Sequence, residues 1–106
     1  MKNSIGEGLT KGVLLLLAGN CLLLVSCSTP PEGDSSDGKR WFAMQHCNGC
    51  HGERGSGGKA PQIQETDLTY RKLLSKVRKS KSAIMPSYSA EQLSDKNVAD
   101  IFSYIQ

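Results

Sequence analysis

At 106 residues the chain is long enough for one small domain and no more. Its 13 basic and 10 acidic side chains leave a formal net charge of +3, and Glu53, Glu65, Asp67, Glu91, Asp95 and Asp100 oppose a general affinity for polyanions, which argues against nucleic acid as a partner.

Lys2 and Lys11 flank a polar start, and Gly12 to Val25 then runs almost without interruption through Val13, Leu14, Leu15, Leu16, Leu17, Leu22, Leu23 and Leu24. The run of 14 residues is interrupted by Asn20 and falls short of the roughly 20 needed to cross a bilayer. An export signal over residues 1–26 is therefore expected rather than a retained span. Leu24-Val25-Ser26-Cys27 resembles a bacterial lipobox, in which cleavage precedes the cysteine and acylation of Cys27 gives a stable anchor. The alternative is an ordinary cleavage site with a chance cysteine. Cys21 lies in the discarded segment, and if Cys47 and Cys50 act together Cys27 is an odd exported thiol, for which lipidation supplies a use.

Residues 27–37 comprise the anchor Cys27 and a stretch with no large apolar side chain, expected to be a solvated tether. About ten such residues reach roughly 17 Å, which keeps the domain near the membrane. The folded domain is expected over residues 38–106, a size at which side chains alone make a marginal core and a staple is needed.

Three helices are predicted in it. Lys39 to Cys47 follows Asp37 as N-cap and carries Trp41, Phe42 and Met44. A second is capped at Thr66 or Asp67 and places Tyr70, Leu73, Leu74 and Val77 on one face. A third is capped by Ser94 and aligns Val98, Ile101, Phe102 and Ile105. No strand pattern stands out, and the glycine-rich stretch from Gly52 to Pro61 reads as a loop wrapped closely around something.

Between the first helix and that loop stands Cys47-Asn48-Gly49-Cys50-His51, a C-x-x-C-H run, the attachment signature of c-type haem. Two thiols three positions apart can each form a thioether to one of two vinyl groups on the same porphyrin edge, and the next residue sets an imidazole under the iron. A redox dithiol would be expected to follow a strand, and none precedes Cys47. A zinc site needs four ligands, and beyond these three only His46 remains as a strong nitrogen or sulfur donor, too near in sequence to close a comfortable tetrahedron. The haem would be the missing staple.

For the second axial position the candidates are Met44, His46 and Met85. Met44 and His46 lie beside the attachment segment, on the wrong side of the macrocycle. Met85 is 34 residues past His51, far enough for the chain to cross to the other face, and Pro86 would fix the loop presenting its sulfur. A methionine is often a gap-filling core residue; here ligation is the expectation.

From Gly38 to Gln106 the chain resembles class I cytochrome c, the small monohaem electron carriers with His/Met ligation. The resemblance implies an all-α fold, three or more helices wrapped around one covalent haem c. It also implies that the Pro61 carbonyl accepts a hydrogen bond from the proximal imidazole of His51, and that the C-terminal helix crosses the N-terminal one. One departure is visible. Many members carry the contact glycine and aromatic eight and four residues before the first haem cysteine, whereas Gly38 lies nine and Phe42 five before Cys47. One extra residue turns a helical face by about 100°, so a local bulge is implied, with either Trp41 or Phe42 filling the contact.

Iron held by His51 and Met85 has no vacant position for substrate, which implies an electron carrier and not an enzyme in its own right, free or as a subunit of an oxidoreductase complex. The alternatives are a haem-based sensor or gas-binding module with a displaceable sixth ligand, and a metal-binding structural domain without haem. Arg71, Lys72, Lys76, Arg78, Lys79 and Lys81 occur with no acidic residue between Asp67 and Glu91. Such runs are commonly solvated faces; the functional reading is docking of an anionic redox partner or acidic headgroups. The expected location is the periplasmic side of a bacterial membrane.

Overall fold

A computed structural model describes residues 30–106; the expected signal over 1–26 and Cys27 lie outside them. The described residues form four helices and no strand: α1 (Ser35–Met44), α2 (Cys47–His51), α3 (Tyr70–Arg78) and α4 (Asp95–Ile105). The all-α fold expected from the sequence is thus the fold observed.

α1 begins earlier than its apolar pattern indicated. Asp34, not Asp37, is the N-cap, its carboxylate accepting from the backbone N–H groups of Ser36 and Asp37, both at 2.9 Å. The Ser36 hydroxyl adds a third bond, and these bonds hold the Asp34 carboxyl below its usual 3.8. The Asp34 N–H in turn donates to Oδ1 of Asp100 at 2.8 Å. Asp100 is buried within α4 and also paired with Lys96, so a tertiary bond draws the polar Ser35-Ser36-Asp37 segment out of the expected tether and into the fold.

α1 also ends earlier, at Met44, because His46 takes a left-handed backbone with φ of 59° before α2 starts. That break absorbs the extra residue between Phe42 and Cys47. Phe42, 2% exposed, fills the helix contact and meets Tyr104 edge to face at 5.7 Å, while Trp41 stays half-buried. The two helices touch through Gly38, where a Cβ would overlap the Asp100 carbonyl and stand 2.9 Å from the Tyr104 Cβ.

α3 starts at Tyr70 behind Thr69, whose hydroxyl accepts from the Lys72 N–H at 3.3 Å; the cap thus lies beyond both Thr66 and Asp67, where it was expected. Its apolar stripe behaves as the spacing required: Leu73 and Val77 are buried, Tyr70 and Leu74 half-buried. α4 opens with Ser94 in a reciprocal cap, its hydroxyl accepting from the Asn97 N–H and the Asn97 side chain accepting from the Ser94 N–H. Phe42, Leu73, Val77, Leu93, Val98, Ile101 and Ile105 form one core between α1, α3 and α4.

Candidate functional site

The core does not extend to α2. None of its five residues is buried, although Cys47, Cys50 and His51 stand at i, i+3 and i+4 and so share one helical face. Cys47 is half-buried and Cys50 exposed, both free thiols. Burial pushes the Cys47 thiol up to about 11.

After His51 the chain must turn back at once. Gly52 makes the turn with φ of 85°, at a point where a Cβ would overlap the Ser56 carbonyl. The Ala60 N–H then donates to the Cys50 carbonyl at 2.9 Å and fastens the returning loop to α2. This brings the Pro61 carbonyl to 2.9 Å from Nδ1 of His51. A carbonyl can only accept, so Nδ1 carries the proton and Nε2 keeps its lone pair for a metal.

Met85 is half-buried on a different segment, the connection between α3 and α4. The Ser82 hydroxyl accepts from the N–H groups of both Ile84 and Met85 at 3.1 Å, which fixes the backbone at the methionine. Two residues tie this connection to the rest: Tyr88, which the sequence did not single out, and Arg78, which it placed in the basic run. Tyr88 donates its hydroxyl to the Gln45 carbonyl at 3.0 Å, and burial raises its phenol above the usual 10. Arg78 donates to the Tyr88 carbonyl at 3.2 Å and pairs with Asp95 at 2.6 Å. The available signal for Tyr88 was its place as the sole aromatic between Tyr70 and Phe102, three residues after Met85.

The structure therefore gathers Cys47, Cys50, His51 and Pro61 into one unit and sets Met85 on a second, joined to the first through Tyr88. Met44, 60% exposed, lies at the end of α1, and His46 is exposed at the break before α2. Of the basic run, Arg71, Lys72, Lys76, Lys79 and Lys81 are exposed, but Arg78 is held by Asp95 and Tyr88. A groove of about 370 Å³ lined by Lys39, Phe42, Ala43, Asn48, Glu53, Arg54 and Tyr104 contains none of the expected site residues.

Residues 33–105 match the family model for cytochrome c oxidase, cbb3-type, subunit III. The chain belongs to this family. Among its relatives, the cbb3-type cytochrome c oxidase subunit CcoP of Helicobacter pylori (strain 52) is 33% identical over 76 residues, covering 65% of this chain and 26% of that protein. A second Helicobacter pylori CcoP has the same identity and coverage. The chain thus spans about a quarter of the length of the curated relatives it matches. No solved structure matches it.

Membership of this cytochrome c family makes covalently bound haem c the cofactor and haem-based electron transfer the work of the domain. The residues present fit such a group. Two free thiols and an imidazole share one face, and the bond to Pro61 leaves Nε2 of that imidazole as the donor. Trp41, Ile63, Leu68, Leu74 and Tyr88 pack on the core yet stay only half covered by protein, as a domain lacking side chains for a complete core requires. Cys47 and Cys50 would hold the haem and His51 would face its iron.

Proposed function

We propose that this chain is a one-electron carrier in which Cys47 and Cys50 hold one haem c through thioethers, and His51 and Met85 are the two axial ligands. The observation that carries the reading is the 2.9 Å bond between His51 Nδ1 and the Pro61 carbonyl. It fixes the ring's tautomer and orientation and makes its other nitrogen a better donor. Bound haem supplies the one-electron iron couple. Met85 fills the remaining axial position, which excludes substrate and raises the reduction potential relative to a second histidine.

The domain works at a membrane surface. In this reading residues 1–26 direct export, Cys27 carries the lipid, and the residues before Gly33 form the spacer, shorter than the sequence indicated because α1 starts at Ser35. The cytochrome domain then lies on the periplasmic side as a component of an oxidoreductase complex, a role supported by the relatives that are named as subunits of a cbb3-type oxidase. Arg71, Lys72, Lys76, Lys79 and Lys81 are the cations offered to an acidic redox partner; Arg78 is occupied within the fold.

Voltammetry of the haem-loaded chain, together with exposure of the reduced form to carbon monoxide at neutral pH, tests the assignment. A reversible one-electron couple with no carbon monoxide binding is expected. Ready binding would mean an open or displaceable sixth position and would favour a gas-binding or sensor role.

A further inference from the structure

We propose that Tyr88 is a positioning residue for the sixth ligand, its hydroxyl tying the loop that bears Met85 to the segment that bears the haem cysteines. The inference rests on reading Met85 as that ligand, and it concerns what keeps the sulfur in place.

The segment from Lys79 to Ser87 has no regular structure and is largely exposed, with Ile84 at 87%. Left to itself such a loop would present a methionine in many positions. Here it is closed at the neck by three bonds. The Tyr88 N–H donates to the Val77 carbonyl at 2.8 Å, the Ser80 N–H to the Ser87 hydroxyl at 2.9 Å, and the Arg78 guanidinium to the Tyr88 carbonyl at 3.2 Å. Arg78 is itself pinned to Asp95 in the first turn of α4. The base of the loop is therefore part of the α3–α4 core.

Those bonds anchor the loop to the helices but not to the attachment segment. For the stretch that bears Met85 the Tyr88 hydroxyl makes that connection, bonding to the Gln45 carbonyl at 3.0 Å across 43 residues of sequence, while the Gln45 side chain donates at 3.4 Å to the Gln92 carbonyl farther along. Gln45 caps the C-terminal end of α1, where carbonyls lack intrahelical donors, and it stands two residues before Cys47. One end of the bond belongs to the residue three after Met85, the other to the approach to the first thioether.

A thioether is a weak, neutral ligand, and its occupancy of iron depends on how narrowly the loop confines it. Confinement lowers the entropy lost on ligation, and an outside ligand then competes only for the fraction of molecules in which the sulfur has left. Losing the tether raises that fraction. For one hydrogen bond of ordinary net strength the expected change is about 2- to 10-fold.

The experiment is a titration of the ferric, haem-loaded full chain with imidazole, followed optically, alongside urea unfolding of the same samples. Tyr88→Phe keeps the ring and removes the hydroxyl; it is expected to bind imidazole about 2- to 10-fold more tightly than the parent. Ser87→Ala opens the neck at an exposed position without touching the Tyr88–Gln45 bond and should tighten binding less, by about 2-fold; a Tyr88→Phe chain that fails to take up haem would overturn the proposal, since the hydroxyl would then be a requirement of folding rather than of ligand position. Met85→Ala sets the upper limit. Unchanged imidazole affinity in Tyr88→Phe, with only a lower urea midpoint, would make Tyr88 a packing residue and overturn the proposal. Unchanged affinity in Met85→Ala would instead overturn the ligation reading, and this proposal with it.

Discussion

Where α1 crosses α4, Phe42, Val98, Ile101 and Ile105 are closed off by side chains alone, whereas α2, with Cys47, Cys50 and His51, buries none of its residues. The first region is held by burial and by the close approach at Gly38. The second is held by hydrogen bonds between loops: Ala60 to Cys50, His51 to Pro61, Tyr88 to Gln45. The difference teaches how so small a domain is divided. One side supplies a scaffold of ordinary side-chain packing, and the other is an arrangement of donors and turns that becomes a core only when a large apolar group is attached to it.

The sharpest way to break that comparison is to withhold the group. Cys47→Ala combined with Cys50→Ala removes both proposed attachment points, and the resulting haem-free chain should lose at least roughly half of its ellipticity at 222 nm, because the helix crossing alone is too small to sustain the fold. Native helix content in that variant would show the scaffold to be self-sufficient. Breaking the other side gives the converse. Phe42→Ala empties the centre of the crossing and should cost about 3–5 kcal/mol in urea unfolding, while the spectrum of the folded, haem-loaded fraction stays that of the parent.

A smaller effect sits at the junction of α1 and α4. Asp100 is buried and receives both the Asp34 N–H and Lys96; Asp100→Ala leaves that N–H unpaired and should destabilise by about 1–3 kcal/mol. The smallest is the cap itself. Hydrogen bonds hold the folded Asp34 carboxyl below its usual 3.8, so its contribution is fully present above that pH and fades as pH falls through the lower folded value. The melting temperature of Asp34→Ala should accordingly lie below the parent's by a constant interval from pH 7 to 5 and draw closer to it as pH falls below 3.8. An interval that persists unchanged under acid would mean the carboxylate charge contributes nothing.

What could be read from the sequence follows the same division. The α4 stripe and its Ser94 cap, and the Leu73–Val77 face of α3, are local patterns, and local patterns survive folding. The C-x-x-C-H run is local as well. Pro61 as the partner of His51 was accessible through family resemblance alone, because nothing in the spacing specifies which carbonyl the loop returns. The features that escaped are long-range. Ser35 and Ser36 look like tether because they are polar, and they are helical because Asp34 caps them and Asp100, far along the chain, holds Asp34. The left-handed turn at His46, which lets Phe42 serve the crossing despite its shifted position, has no sequence signal of the glycine or asparagine kind. Tyr88 and Arg78 read as an aromatic in a loop and a charge in a basic run; their roles depend on Gln45, Asp95 and the loop neck.

The most direct test of the account is an optical spectrum of the exported full chain, oxidised and reduced, including the weak far-red band that methionine sulfur gives with ferric haem. The account predicts a thioether-haem spectrum with that band present, and its loss in Met85→Ala. A far-red band that survives Met85→Ala, or an exported chain without haem absorbance, would contradict it.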